Sequence, residues 1–181
     1  MKKDKEYIIQ FKGLSEGIHK FKYSVGSKFF SMIENPMYDD GNILVEVTLD
    51  KRINVLILDF CMKGYVSSVC DNCLEPINVT VSNSERIYIK FGDTFEELSE
   101  NSLIIPHSEY EIEISKIIYD IIVTSLPMRH LHEYDENGNV GCDPEMLKKI
   151  KEHTNKNSYN GNKSKNQTDP RWDKLKNIIE K

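Results

Sequence analysis

Three runs with a two-residue apolar period fill the stretch from Asn42 to Phe91, and a Cys-x-x-Cys turn, Cys70-Asp71-Asn72-Cys73, joins the second run to the third. A period of two puts alternate side chains on opposite faces of an extended chain and cannot give a helix one apolar side, so these runs predict strands. In the first, Ile43, Val45, Val47 and Leu49 share one face and Leu44, Glu46 and Thr48 the other. The polar residues Asp50-Lys51-Arg52 predict a turn. The second run is apolar enough for a central strand, with Leu56, Leu58, Phe60 and Met62 on one face and Val55, Ile57 and Cys61 on the other. Gly64 predicts a bulge or bend before Tyr65–Val69 leads into Cys70. In the third, Ile77, Val79 and Val81 alternate with polar residues, and Ile87, Ile89 and Phe91 resume after a polar interruption. The Cys turn therefore reads as the tip of a hairpin or a strand-to-strand corner.

The flanking sequence adds shorter elements. Tyr7–Phe11 and His19–Val25 read as strands, Ser27–Glu34 as one or two helical turns ended by Asn35-Pro36, and the acidic residues 93–113 as a surface excursion with one short strand. Ile114, Ile117, Ile118, Ile121 and Ile122 then fall at the spacing of a helix that packs on a sheet, and Leu126-Pro127 closes it. Its β-branched residues lower helix propensity, so burial has to stabilise it. The fold class is α+β: an antiparallel sheet able to curl toward a barrel, covered by the Ile-rich helix, with a helical C-terminal tail. The predicted divisions are a domain at 1–142 with a Cys/His corner, a short helix at 143–153 started by Asp143-Pro144, a disordered Asn/Lys-rich linker at 154–168, and an amphipathic helix at 169–181.

Charge divides along the same line. Residues 1–143 carry 14 Lys and Arg against 24 Asp and Glu, whereas 144–181 carry 10 against 5. An acidic body suits a basic protein partner better than a nucleic acid, and the basic tail can supply cations for phosphate or stay solvated. Within the tail, Arg171, Trp172, Lys174 and Lys176 are the candidate partner-binding residues. No apolar run is long enough to span a bilayer, and the charged start Met1-Lys2-Lys3-Asp4-Lys5-Glu6 leads into a strand pattern, so the expectation is a soluble, cytoplasmic protein with no membrane contact.

Two thiols separated by two residues can aim at one tetrahedral metal. Cys70 and Cys73 make half a zinc site, and His130, His132 and Cys142, in the segment after the Ile-rich helix, are candidates for the other half. The alternatives at this point are free thiols with surface histidines, or a redox pair. Reactive dithiols sit at helix N-termini that depress the thiol pKa, whereas a strand is predicted here, which weighs against redox chemistry. Cys61, on a strand, reads as core. No nucleophile elbow, phosphate-cradling glycine loop or dinucleotide fingerprint occurs, so no catalytic residue and no small-molecule substrate are predicted.

The Cys70-x-x-Cys73-Leu74-Glu75-Pro76 turn, the Leu126-Pro127 stop, His132 and Cys142 after it, and the closing Asp169-Pro170-Arg171-Trp172 together resemble the YceD family of large ribosomal RNA subunit accumulation proteins. The similarity runs from the second strand to the end. The Asp-Pro-Glu and Asp-Pro-Arg-Trp helix starts look like the version found in Bacteroidetes members. The resemblance implies a non-enzymatic factor for large-subunit ribosome biogenesis, with large-subunit ribosomal RNA or a ribosomal protein as partner. It also implies that Cys70, Cys73, His132 and Cys142 match the family's paired cysteines and later His and Cys, with His130 ranked below His132. A zinc-stabilised interaction adaptor without RNA contact is the alternative, and a thiol-dependent redox protein the third reading.

Overall fold

The computed structural model describes residues 5–133 and 141–153. The predicted linker at 154–168 and the terminal helix at 169–181, with Arg171, Trp172, Lys174 and Lys176, lie outside the described residues. The chain divides into two compact units, Met1–Cys142 and Asp143–Lys181. In chain order the first holds β1 (Ile8–Ile9), β2 (Gly17–Val25), helix α1 (Ser27–Phe30), β3 (Gly41–Lys51), β4 (Val55–Val69), β5 (Pro76–Gly92), β6 (Glu96–Ser99), β7 (Ser102–Pro106), β8 (Ile112–Glu113) and helix α2 (Ser115–Ser125). The second holds α3 (Pro144–His153), whose first turn is capped by the Asp143 carboxylate accepting the Glu145 N–H at 3.0 Å.

The architecture is mixed α+β. Its centre is the antiparallel meander β2-β3-β4-β5, in which Leu58 pairs with Leu49 on one side and Ile87 on the other. The predicted inner face is buried: Ile43, Val45, Val47, Leu49, Leu56, Leu58, Phe60 and Met62 are almost inaccessible. Burial of each such side chain stabilises the fold by about 1.5–3 kcal/mol, and these eight residues make up a third of the buried core cluster. The Ile-rich helix is α2, with Ile118, Ile121 and Ile122 buried, and it packs on β5. It stops where Leu126 turns extended (φ −81°, ψ 144°), as a residue before proline must.

Four details differ from the sequence-based expectation. First, the six-stranded sheet, in the order β2-β3-β4-β5-β7-β6, stays open, with no closed barrel among the described residues. One edge, β6, is four exposed residues including Glu96 and Glu97, and charged edge strands resist further pairing. Second, the sheet is not wholly antiparallel. Residues 93–113 contain β6, β7 and β8 instead of one short strand, and β7 pairs parallel with β5, its Ile105 buried.

Third, Gly64 is not a bulge, since β4 pairs with β3 and β5 across it without a register shift. Its φ is +156°, and a Cβ there would lie 2.1 Å from the Asn42 carbonyl oxygen. The glycine lets β3 and β4 run in close contact. Fourth, Cys61 is half-exposed on the outer face of β4 and is not core.

Candidate metal centre

The sheet ends where β4 leaves Val69 and β5 begins at Pro76, paired to each other, so residues 70–75 have to reverse the chain within six positions. The Cys70 N–H donates to the Glu75 carbonyl and the Leu74 N–H to the Cys70 carbonyl, both at 2.9 Å. Leu74 adopts a left-handed conformation (φ +62°), which costs a non-glycine residue about 1 kcal/mol. The turn curls Cys70 and Cys73 toward the same point.

The segment after α2 is fastened to this turn by Asp71, Asn72, Arg129 and His130. The Asp71 N–H donates to the His130 carbonyl at 2.8 Å, and the His130 N–H donates to Asp71 Oδ2 at 2.7 Å. The Arg129 guanidinium donates to Asn72 Oδ1 at 3.3 Å. The His130 ring lies between Ser68 Oγ, 2.7 Å from Nδ1, and the Tyr38 hydroxyl, 3.3 Å from Nε2. With both ring nitrogens engaged, His130 is a pin and not one of the converging donors. Two residues on, His132 reaches the cysteines. Beyond it the Gly141 N–H donates to the Glu133 carbonyl at 3.4 Å, bringing Cys142 back to the same place.

Cys70, Cys73, His132 and Cys142 thus converge, their ligand atoms all within 4.8 Å of one another. The Cys70 and Cys142 sulfurs are 3.6 Å apart, and His132 Nδ1 is 3.5 Å from the sulfurs of both Cys73 and Cys142. Tetrahedral zinc, with bonds of about 2.3 Å to sulfur and about 2.0 Å to nitrogen, needs sulfurs about 3.8 Å apart and sulfur–nitrogen separations of about 3.5 Å. The donor set fits. The three thiols are buried and His132 is half-buried, so these four protein atoms would fill the shell of a bound tetrahedral ion and leave no open position for a substrate.

Electrostatics at the cluster favour a cation. Burial pushes the Cys70 thiol up, but backbone hydrogen bonds from Cys73, Asn72 and His132, with the Cys142 side chain, outweigh it and bring the pKa to about 6. Cys142 is pushed up to about 11, by burial first and then by Cys70 and Cys73 beside it. Several adjoining thiolates repel one another unless a positive ion sits between them.

With the family resemblance to rank His132 above His130, sequence reasoning brought out Cys70, Cys73, His132 and Cys142. It could not bring out Ser68, Tyr38 and Asp71, because the contacts from Ser68 and Tyr38 to His130 span 62 and 92 residues and follow no motif. These pins yield a prediction. His130→Ala leaves all four donors in place but frees the segment that presents His132, and loss of such supporting contacts typically lowers metal affinity about 10–100-fold. Competition with a chromogenic zinc chelator measures this, and unchanged affinity would contradict it.

A family model described as "Large ribosomal RNA subunit accumulation protein YceD" matches residues 58–179. The match begins inside β4, later than the second strand from which the similarity was expected to run. It includes all four converging residues. No curated protein and no solved structure matches the chain.

Proposed function

The chain belongs to the YceD family of large ribosomal RNA subunit accumulation proteins, and from that premise we propose that it is a non-enzymatic, cytoplasmic factor of large-subunit biogenesis that binds ribosomal RNA or a ribosomal protein. The observation that carries the reading is the closed Cys3His cluster. Its four donors consume one another, so the most reactive side chains of the matched region serve structure. Cys70 and Cys73 hold the β4–β5 turn, and His132 and Cys142 hold the segment after α2. Zinc, when bound, neutralises the thiolates and cross-links the two segments, contributing directly to folding. Asp71 and His130 set the register between them, the Asp71 N–H donating to the His130 carbonyl and the His130 N–H to the Asp71 carboxylate. The surface beside the clasp, including exposed Leu74 and Met128, is thereby kept in one conformation for a partner.

Among the described residues, no helix is long and apolar enough to cross a membrane. The basic tail, with Arg171, Trp172, Lys174 and Lys176, is a proposed second contact. Gradient sedimentation of cell extract at moderate and high salt tests the reading. The protein should travel with large-subunit precursors, and a chain lacking 154–181 should lose the most salt-sensitive part of that association. Sedimentation as free protein at every salt concentration would overturn the function, and unchanged association of the shortened chain would remove the tail from it.

A further inference from the structure

The face of β2–β5 turned away from α2 carries no buried residue. The strand register arranges it in rows. Lys20, Thr48, Asp59 and Arg86 form one, and Lys22, Glu46, Cys61 and Ser84 the next. Lys63 follows between Leu44 and Ser82. Tyr65 lies one row beyond Lys63, and Tyr88 lies one row beyond Arg86 at the other end. They are 38% and 40% exposed. The two tyrosine rows are eight residue steps apart along β4, from Ile57 to Tyr65, a span of about 27 Å at the strand rise.

The charges on this face do not cancel. Lys22 pairs with Glu46 at 2.5 Å and Arg86 with Asp59 at 2.5 Å. A hydrogen bond from Lys22, then the charges of Lys22, Lys20 and Lys63, hold the Glu46 carboxyl below the usual carboxylate range, so one carboxylate faces three lysines. Lys20 and Lys63 are left in surplus. This is the reverse of residues 1–143 as a whole, where carboxylates outnumber cations by 24 to 14. A basic ribosomal protein would be repelled here, while a phosphate backbone would be attracted. Exposed aromatic rings at both ends of a cationic stripe suit unpaired bases, which stack on such rings irrespective of sequence.

We propose that this sheet face is an RNA-docking surface, on which Lys20, Lys22 and Lys63 take phosphates and Tyr65 and Tyr88 stack on unpaired bases. The proposal rests on the large-subunit role argued above and assigns that role its RNA-binding surface.

The test is filter binding of the full chain to protein-free large-subunit ribosomal RNA across a salt series. The wild-type affinity should fall steeply with salt. In the double variant Lys20→Ala/Lys63→Ala the slope of log affinity against log salt should flatten by about 2, with affinity at low salt about tenfold or more weaker. Tyr65→Ala should weaken binding about fivefold or more with an unchanged slope. Lys116→Ala, on α2, should match wild type. All four positions are exposed, and unchanged thermal melts establish that the variants fold.

Wild-type affinity and slope in the double variant would overturn the proposal and leave the large-subunit role standing. So would a wild-type chain that sediments with large-subunit particles but binds no bare RNA, in which case a particle-binding defect of the double variant would assign the face to a protein. A wild-type chain that does neither would overturn the role as well.

Discussion

Full-length protein purified without added metal is expected to carry one zinc ion per chain, and Cys73→Ser to carry none and to lose about 3–5 kcal/mol of stability, comparable to losing a native disulfide. Small domains that fold only around zinc gain more, about 10–16 kcal/mol, because the metal replaces a core they lack. Here β3, β4 and β5 bury their own apolar face, so the loss is confined to release of the β4–β5 turn and of the segment after α2. Elemental analysis and urea denaturation measure the two effects. Cys61→Ser is the matched control, since Cys61 lies on the outer sheet face away from the cluster, and it should keep both zinc and stability. A metal-free wild-type chain as stable as the metal-loaded one would contradict the clasp.

The second large effect is expected at the helix that delivers His132. Ile118 is fully buried between α2 and the sheet, and Ile118→Ala should cost about 2–5 kcal/mol by lost burial and the cavity left behind. Because α2 leads through Leu126-Pro127 into the His130 pin and then His132, a loosened helix should also release zinc faster to a chelator. Met128→Ala, at a fully exposed position in the same segment, should stay within about 0.5 kcal/mol of wild type and keep its metal. A stable Ile118→Ala chain with wild-type zinc release would show that the clasp does not depend on α2.

The sequence displayed the parts of this molecule that rest on local periodicity. Alternation at 43–49 and 55–62 names the residues that are buried in β3 and β4, and the isoleucine spacing from Ile114 names the buried stripe of α2. The Cys-x-x-Cys turn reads as a hairpin tip because apolar alternation runs into it and out again, and that is where β4 and β5 join. What periodicity could not show depends on pairing at a distance. The β7 segment is too short to display a pattern, and its parallel alignment with β5 is set by contacts between strands. Gly64 looks like a bulge in one dimension, and the need for a glycine there comes from the Asn42 carbonyl of the neighbouring strand.

At the candidate site the donors were visible by residue type. The choice of His132 over His130 was not decided by spacing. It follows in space from the engagement of both His130 ring nitrogens by Ser68 and Tyr38. Net charge was similarly incomplete. An acidic total concealed a sheet face whose lysines exceed its carboxylates, because one-dimensional counting cannot separate the two sides of a strand.

Zinc K-edge X-ray absorption on the full-length chain as purified reads the clasp's donor atoms themselves. A Cys3His clasp predicts a first shell of three sulfurs at about 2.3 Å and one nitrogen at about 2.0 Å in the wild-type chain. A shell of oxygen and nitrogen alone, or no zinc edge, would contradict the assignment of Cys70, Cys73, His132 and Cys142 as a structural metal clasp.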